Sequence, residues 1–185
     1  VADLALAWTR LRNMPRNDRR LACILSDYPA KAGRAAYAVG LDTPASLTEI
    51  AAQLKVAGYD IEAVGDCGAF IRALAESAAG EAYSLDDYRE AFAALPETLR
   101  NAIDAAWGAP EADSHVEQGA FRFRALRLGK MIVAIQPDRG GAASRKADYH
   151  DARLPPSHFY AAFYLWLRRA ECIDAMIQLG THGTL

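Results

Sequence analysis

The sequence predicts an α/β fold: an open, mostly parallel sheet with flanking helices, a helical insertion and a β-hairpin. Three observations carry that expectation. The apolar runs Leu21–Leu25, Met131–Ile135 and Ala175–Leu179 have the length and composition of buried strands. Helical patterning separates them, which supplies the crossovers that parallel strands need. Each run also opens into a polar or glycine-rich loop, at 26–42, 136–154 and 180–185. If the strands are parallel, the three loops open on one edge of the sheet, where open α/β sheets bind ligands.

Taken in order, Leu4 to Leu11 has the character of a helix. Leu21–Leu25 follows the basic pair Arg19-Arg20 as the first strand. After the loop, Thr43 is a natural N-cap with Pro44 at N1. Leu47, Ile50, Ala51 and Leu54 then fall at i, i+3, i+4 and i+7 and form one apolar stripe. Gly58 ends that helix, and Tyr59 to Val64 is expected to be a second strand, completing a β-α-β unit.

The middle of the chain is helical, an insertion over about 66–108. Phe70, Ile71, Leu74 and Ala75 share a face, Ser84 with Asp87 caps the next segment, and Pro96 opens a helix closed by Gly108. Phe121-Arg122-Phe123-Arg124 alternates with period two, and Gly129-Lys130 marks a tight turn before Met131–Ile135. This predicts a hairpin feeding a central strand. Pro155-Pro156 precedes a helix carrying Tyr160, Phe163, Tyr164 and Leu167, and the last strand runs into Gly180.

Composition narrows the function classes. The 185 residues are 52% hydrophobic with a net charge of −2, enough apolar content for one domain and the wrong charge for a nucleic-acid footprint. No apolar stretch approaches the roughly 20 residues of a membrane span. Cys23, Cys67 and Cys172 are odd in number and far apart, as expected of reduced cytoplasmic thiols, with Cys23 in the core. The chain stops within the loop after its last strand, so it is expected to be an internal piece, 1–185, of a larger protein.

Polar chemistry gathers in the strand-end loops. Gln136, Arg139, Lys146, Tyr149, His150 and Asp151 lie in the second, His158 opens the helix after it, and His182 follows the last strand. Neutral imidazoles are common ligands of divalent transition metals and competent proton acceptors. The spacing of His150, His158 and His182 is that of no standard metal motif, so surface or capping histidines remain an alternative. Arg34 and Arg139 offer guanidinium forks for carboxylates. Neither GxGxxG nor GxxxxGK[ST] occurs, so ATP binding by this chain is not expected. No GxSxG context surrounds Ser26 or Ser157. His115, in an acidic loop, is expected to be solvated.

Seven stretches in order resemble a known family. They are Ser26-Asp27-Tyr28-Pro29, Val39-Gly40-Leu41-Asp42-Thr43-Pro44-Ala45-Ser46, Ile135-Gln136-Pro137-Asp138-Arg139-Gly140, Tyr149-His150, Leu154-Pro155-Pro156-Ser157-His158, Ala162-Phe163-Tyr164-x-Trp166-Leu167, and Leu179 through Leu185. Together they resemble the large subunit of the cobaltochelatase and magnesium-chelatase family, most closely its cobalt branch. The resemblance implies a tetrapyrrole-binding, metal-inserting subunit of well over a thousand residues. It also implies Co2+ as substrate metal, hydrogenobyrinic acid a,c-diamide as acceptor, and ATP hydrolysed by partner AAA+ subunits. His182 and His150 would then be proton acceptors and metal ligands, with His158 a third candidate ligand. Arg34, Gln136, Arg139 and Thr181 would hold the macrocycle. The alternatives are magnesium insertion into protoporphyrin and, from another class, a non-catalytic docking domain. The Gly140–Ser144 stretch departs from the family's loop.

Overall fold

The computed structural model describes residues 2–26, 40–77, 81–140 and 154–180. In chain order the elements are α1 (Ala2–Asn13), β1 (Leu21–Leu25), α2 (Thr43–Val56), α3 (Cys67–Glu76), β2 (Glu81–Ser84), α4 (Leu85–Ala93) and α5 (Glu97–Trp107). They continue with β3 (Val116–Glu117), β4 (Ala120–Phe123), β5 (Ala125–Leu128), β6 (Met131–Ile135), α6 (His158–Leu165) and β7 (Ala175–Leu179). A π-helical turn, Trp166–Ala170, extends α6.

The principal sheet has the order β5-β6-β1-β7. β1 pairs in parallel with β6 and with β7, whereas β5 runs antiparallel to β6. All five residues of β1 and all five of β6 are buried, because both faces of these central strands are covered. On one face Leu21, Cys23, Leu25, Val133 and Ile135 pack with Leu47 and Ala51 of α2 and Leu74 of α3. On the other, the small residues Ala22 and Ala134 leave room for an aromatic layer that includes Tyr88, Phe92, Phe121, Phe123, Phe163 and Trp166. Burial pushes the Cys23 thiol up to about 12, so it behaves as an inert core side chain.

A second, antiparallel sheet, β2-β4-β3, lies within that aromatic layer. Its existence corrects the expected hairpin. Phe121 and Phe123 belong to β4, which pairs with β2 and β3, and the chain breaks at Arg124 before β5 begins. The hairpin that feeds the central strand is β5–β6, turned by Gly129-Lys130 with Leu128 opposite Met131. Gly129 has φ +60°, and a Cβ there would stand 2.7 Å from the Asp60 carbonyl. Only glycine fits that turn.

The same contact explains why Tyr59–Val64 is not a strand. Both sides of β1 are occupied by β6 and β7, and the segment instead crosses the hairpin turn. Lys130 N–H donates to Asp60 O at 2.8 Å, while Ile61 and Val64 plug the core beside α2 and α3. The expected N-cap also shifts by one residue. Asp42, not Thr43, accepts the Ala45 N–H at 3.0 Å, and Thr43 begins the helix. Ser84 caps α4 through Asp87 N–H, and Gly108 closes α5 with φ +77°, both as the sequence suggests. No described helix is long and apolar enough to cross a membrane.

Candidate functional site

The register of the principal sheet aligns three strand ends. Leu25 stands opposite Ile135 on one side and Leu179 on the other. The backbone continues this pairing one residue further: Gln136 N–H donates to Leu25 O at 2.9 Å, and Ser26 N–H donates to Leu179 O at 3.1 Å. Adjacent strands lie about 4.8 Å apart, so the loops beginning at Ser26, Gln136 and Gly180 start side by side. They share the carboxyl edge of the sheet, as the sequence predicts for parallel strands.

That edge has a polar floor. Gln178 Nε2 donates to Ser26 Oγ at 3.2 Å and to Gln136 Oε1 at 3.1 Å. Gln136 Nε2 donates to Tyr160 Oη at 3.0 Å, carrying the network onto α6. Tyr160 in turn lies against Tyr164, whose phenol is pushed up chiefly by burial and then by Tyr160. Gln136 is 9% exposed, so its side chain is built into the floor. Gly180 is pressed against Ser26: a Cβ on Gly180 would fall 1.9 Å from Ser26 Oγ.

A second set of contacts fixes the far end of the 136–154 loop. Arg139 Nη2 donates to Leu154 O at 3.0 Å, and Ser157 N–H donates to Arg139 O at 2.9 Å. Trp107 Nε1 donates to Pro155 O at 3.0 Å, and Ser157 Oγ caps α6 by accepting Tyr160 N–H. The expected guanidinium fork of Arg139 thus braces its own loop.

His158 occupies a different place from the one its candidacy as a metal ligand requires. It is fully buried, with Nδ1 2.7 Å from Tyr88 Oη and Nε2 2.8 Å from Gly108 O. The neutral ring satisfies both contacts when Nε2–H donates to the carbonyl and Nδ1 accepts from the phenol. Tyr88 and Phe92 meet the imidazole edge to face. Both nitrogens are therefore taken, and the metal role does not fit; His158 ties α6 to α4 and α5.

His115 is solvent-exposed, as expected, and its exposed ring also makes two contacts. Its ring stacks on Phe159 at 4.1 Å, and Nδ1 lies 2.9 Å from Asp113 Oδ1. Arg34, His150, Thr181 and His182 lie outside the described residues. Among the described residues no group of three or more His, Cys, Asp and Glu side chains is placed to hold a metal ion.

Sequence reasoning missed Ser26, Tyr160 and Gln178 as parts of the floor. The available signal was Gln178 itself, a polar residue set in an apolar strand two positions before the terminal glycine loop.

Comparison with known proteins matches the CobN/Magnesium Chelatase family over residues 1–185. The chain is 39% identical over 197 residues to the aerobic cobaltochelatase subunit CobN of Pseudomonas aeruginosa, covering 100% of this chain and 16% of that protein. It is 28% identical over 193 residues to a magnesium-chelatase subunit of Chlorobaculum parvum, covering 100% of this chain and 15% of that protein. The catalytic subunit of cobaltochelatase from Mycobacterium tuberculosis superimposes with a TM-score of 0.80 at 35% identity, covering 98% of this chain and 16% of that one. The chain therefore spans about a sixth of the length of these relatives.

Proposed function

This chain belongs to the CobN/magnesium chelatase family, and on that premise we propose that it forms part of the tetrapyrrole site of a cobaltochelatase large subunit. The reaction is insertion of Co2+ into hydrogenobyrinic acid a,c-diamide during cobalamin biosynthesis in the cytoplasm. ATP is hydrolysed by partner AAA+ subunits and is not bound here. Residues 1–185 act as one α/β domain of the larger subunit, with a helical insertion at about 66–108.

One observation carries the reading. The register of β1, β6 and β7 opens three loops on a single edge, and those loops hold several of the stretches on which the family resemblance rests, among them Ser26–Pro29, Gln136–Gly140 and Gly180–Leu185. Metal insertion must remove two pyrrole protons and strip water from the cation. Imidazoles suit both tasks, since a neutral ring accepts a proton or binds a divalent metal. His182 and His150 fill those roles in this proposal. Arg34 and Thr181 bind the carboxylates and amides of the macrocycle's periphery in this proposal, while Arg139 and Gln136, whose side chains are engaged with Leu154 O, Tyr160 and Gln178, brace the edge beneath it. His158 is withdrawn from the metal set because its ring nitrogens are engaged.

The cobalt reading is favoured over the magnesium one by identities of 39% and 37% to cobaltochelatase subunits, against 28% and 25% to magnesium-chelatase subunits. The test is an absorbance titration of the chain with hydrogenobyrinic acid a,c-diamide and, separately, protoporphyrin IX. Saturable binding of the corrinoid, weakened by His182→Ala, supports the proposal. Preference for protoporphyrin moves the assignment to the magnesium branch. A folded chain that binds neither ligand supports a docking domain instead.

A further inference from the structure

We propose that Gln178 is a positioning residue whose amide clasps the first residues of two strand-end loops, on the strand that launches the third, holding them in one register for the ligand. The inference rests on the tetrapyrrole-site reading above. It starts from the strand pairing: Gln178 stands opposite Ile24, one residue before β1 ends, on the face that α6 covers. From there its Nε2 reaches both neighbouring loop starts, Ser26 Oγ at 3.2 Å and Gln136 Oε1 at 3.1 Å. The third loop start, Gly180, is two residues along the same strand and packs directly on Ser26. Gln136 passes the connection to α6 through Tyr160 at 3.0 Å.

One side chain therefore touches loop one and loop two, and sits on the strand that launches loop three. Loops that open independently would present their residues to a rigid macrocycle in many relative settings, and binding would first have to select among them. Holding the loop mouths together removes part of that ordering cost. Gln178 itself is solvent-exposed, so its loss leaves the packed core intact.

The test compares the chain with its Gln178→Leu variant, which keeps the side-chain bulk and abolishes both hydrogen bonds. Three quantities are read: affinity for hydrogenobyrinic acid a,c-diamide, melting temperature, and amide hydrogen exchange in peptides covering Ser26, Gln136 and Gly180. The expected result is about tenfold weaker binding, two modest hydrogen bonds' worth. The bound corrinoid's absorption band moves toward its free position, and the melting temperature falls only slightly, because Gln178 lies at the solvent-exposed edge. Exchange quickens in all three peptides. Equal affinity in the two proteins, or faster exchange confined to β7, overturns the proposal. If the parent chain binds no corrinoid, the functional reading fails separately. Exchange then decides the clasp: acceleration at Ser26 and Gln136 sustains it, and unchanged exchange there ends it.

Discussion

Ser26 and Gly180 are in contact across the ends of two parallel strands, so closely that a methyl group on Gly180 would stand 1.9 Å from Ser26 Oγ and 2.6 Å from Ser26 Cβ. Glycine is required there for space. Gly180→Ala is expected to destabilise the fold by about 1–3 kcal/mol, the usual cost of overpacking. Adding Ser26→Gly removes the obstructing side chain and should recover most of the loss. Urea midpoints of the two single variants and the double variant check the coupling.

Thr43 provides a test that separates two readings of one residue. As an N-cap its hydroxyl would stabilise α2, and replacing it would cost about 1 kcal/mol. In the structure Asp42 caps the helix, and the buried Thr43 Oγ1 has no hydrogen-bond partner among the described residues. Thr43→Val keeps the shape and removes the unpaired hydroxyl. It is expected to leave stability unchanged or raise it by about 1 kcal/mol, read as a shift in melting temperature.

His158→Leu should be severe. It strands the Tyr88 hydroxyl and the Gly108 carbonyl without their partner in a site that is fully buried. The expected loss is roughly 2–4 kcal/mol, the range for breaking a buried hydrogen-bond network. Tyr88→Phe, which deletes one contact and leaves the ring stack, should cost about 1 kcal/mol. Thermal unfolding of the pair ranks the two.

Asp113 gives the fold a share of its acid sensitivity. Burial opposes its charge, but the hydrogen bonds from the His115 ring and backbone, attraction to His115 and the Phe159 N–H outweigh it, leaving its carboxyl below the ordinary range. A depressed carboxylate stabilises the fold fully above the unfolded value, near 3.9, and that share fades as pH falls through the lower folded value. Stability should therefore drop as pH falls below about 4. Asp113→Asn should flatten that part of the profile, measured as urea midpoint against pH.

How much of this was legible in the sequence depends on how local the determinant is. Leu21–Leu25 and Met131–Ile135 announced themselves because strands covered on both faces are apolar throughout. Gly108 and the Ser84 cap were equally plain, since each works within one turn of helix. Tyr59–Val64 has strand-like composition, yet its fate was decided by Asp60 meeting Lys130, a contact 70 positions away in sequence. The break at Arg124 was hidden for a similar reason: Phe121 and Phe123 alternate like any strand, and nothing nearby says which sheet they join. His158 was legible as a polar residue at a loop boundary, but its burial depended on the carbonyl of Gly108 and the phenol of Tyr88. The edge that gathers the loops could be foreseen; the amide network beneath it could not.

β1 sits at the centre of a sheet whose other members are made much later. Leu21–Leu25 must wait for residues 131–135 on one side and for 175–179 on the other. During synthesis at about 5–20 residues per second, its second neighbour emerges roughly 10–30 s after β1 itself. Through that interval an all-apolar pentapeptide with at least one open hydrogen-bonding edge stands exposed on the nascent chain, the kind of segment that recruits chaperones or pairs with a stranger. Parallel pairing over such separations also makes folding slow once the chain is complete. The arrangement that sets three loops side by side thus leaves the protein most vulnerable while it is being made.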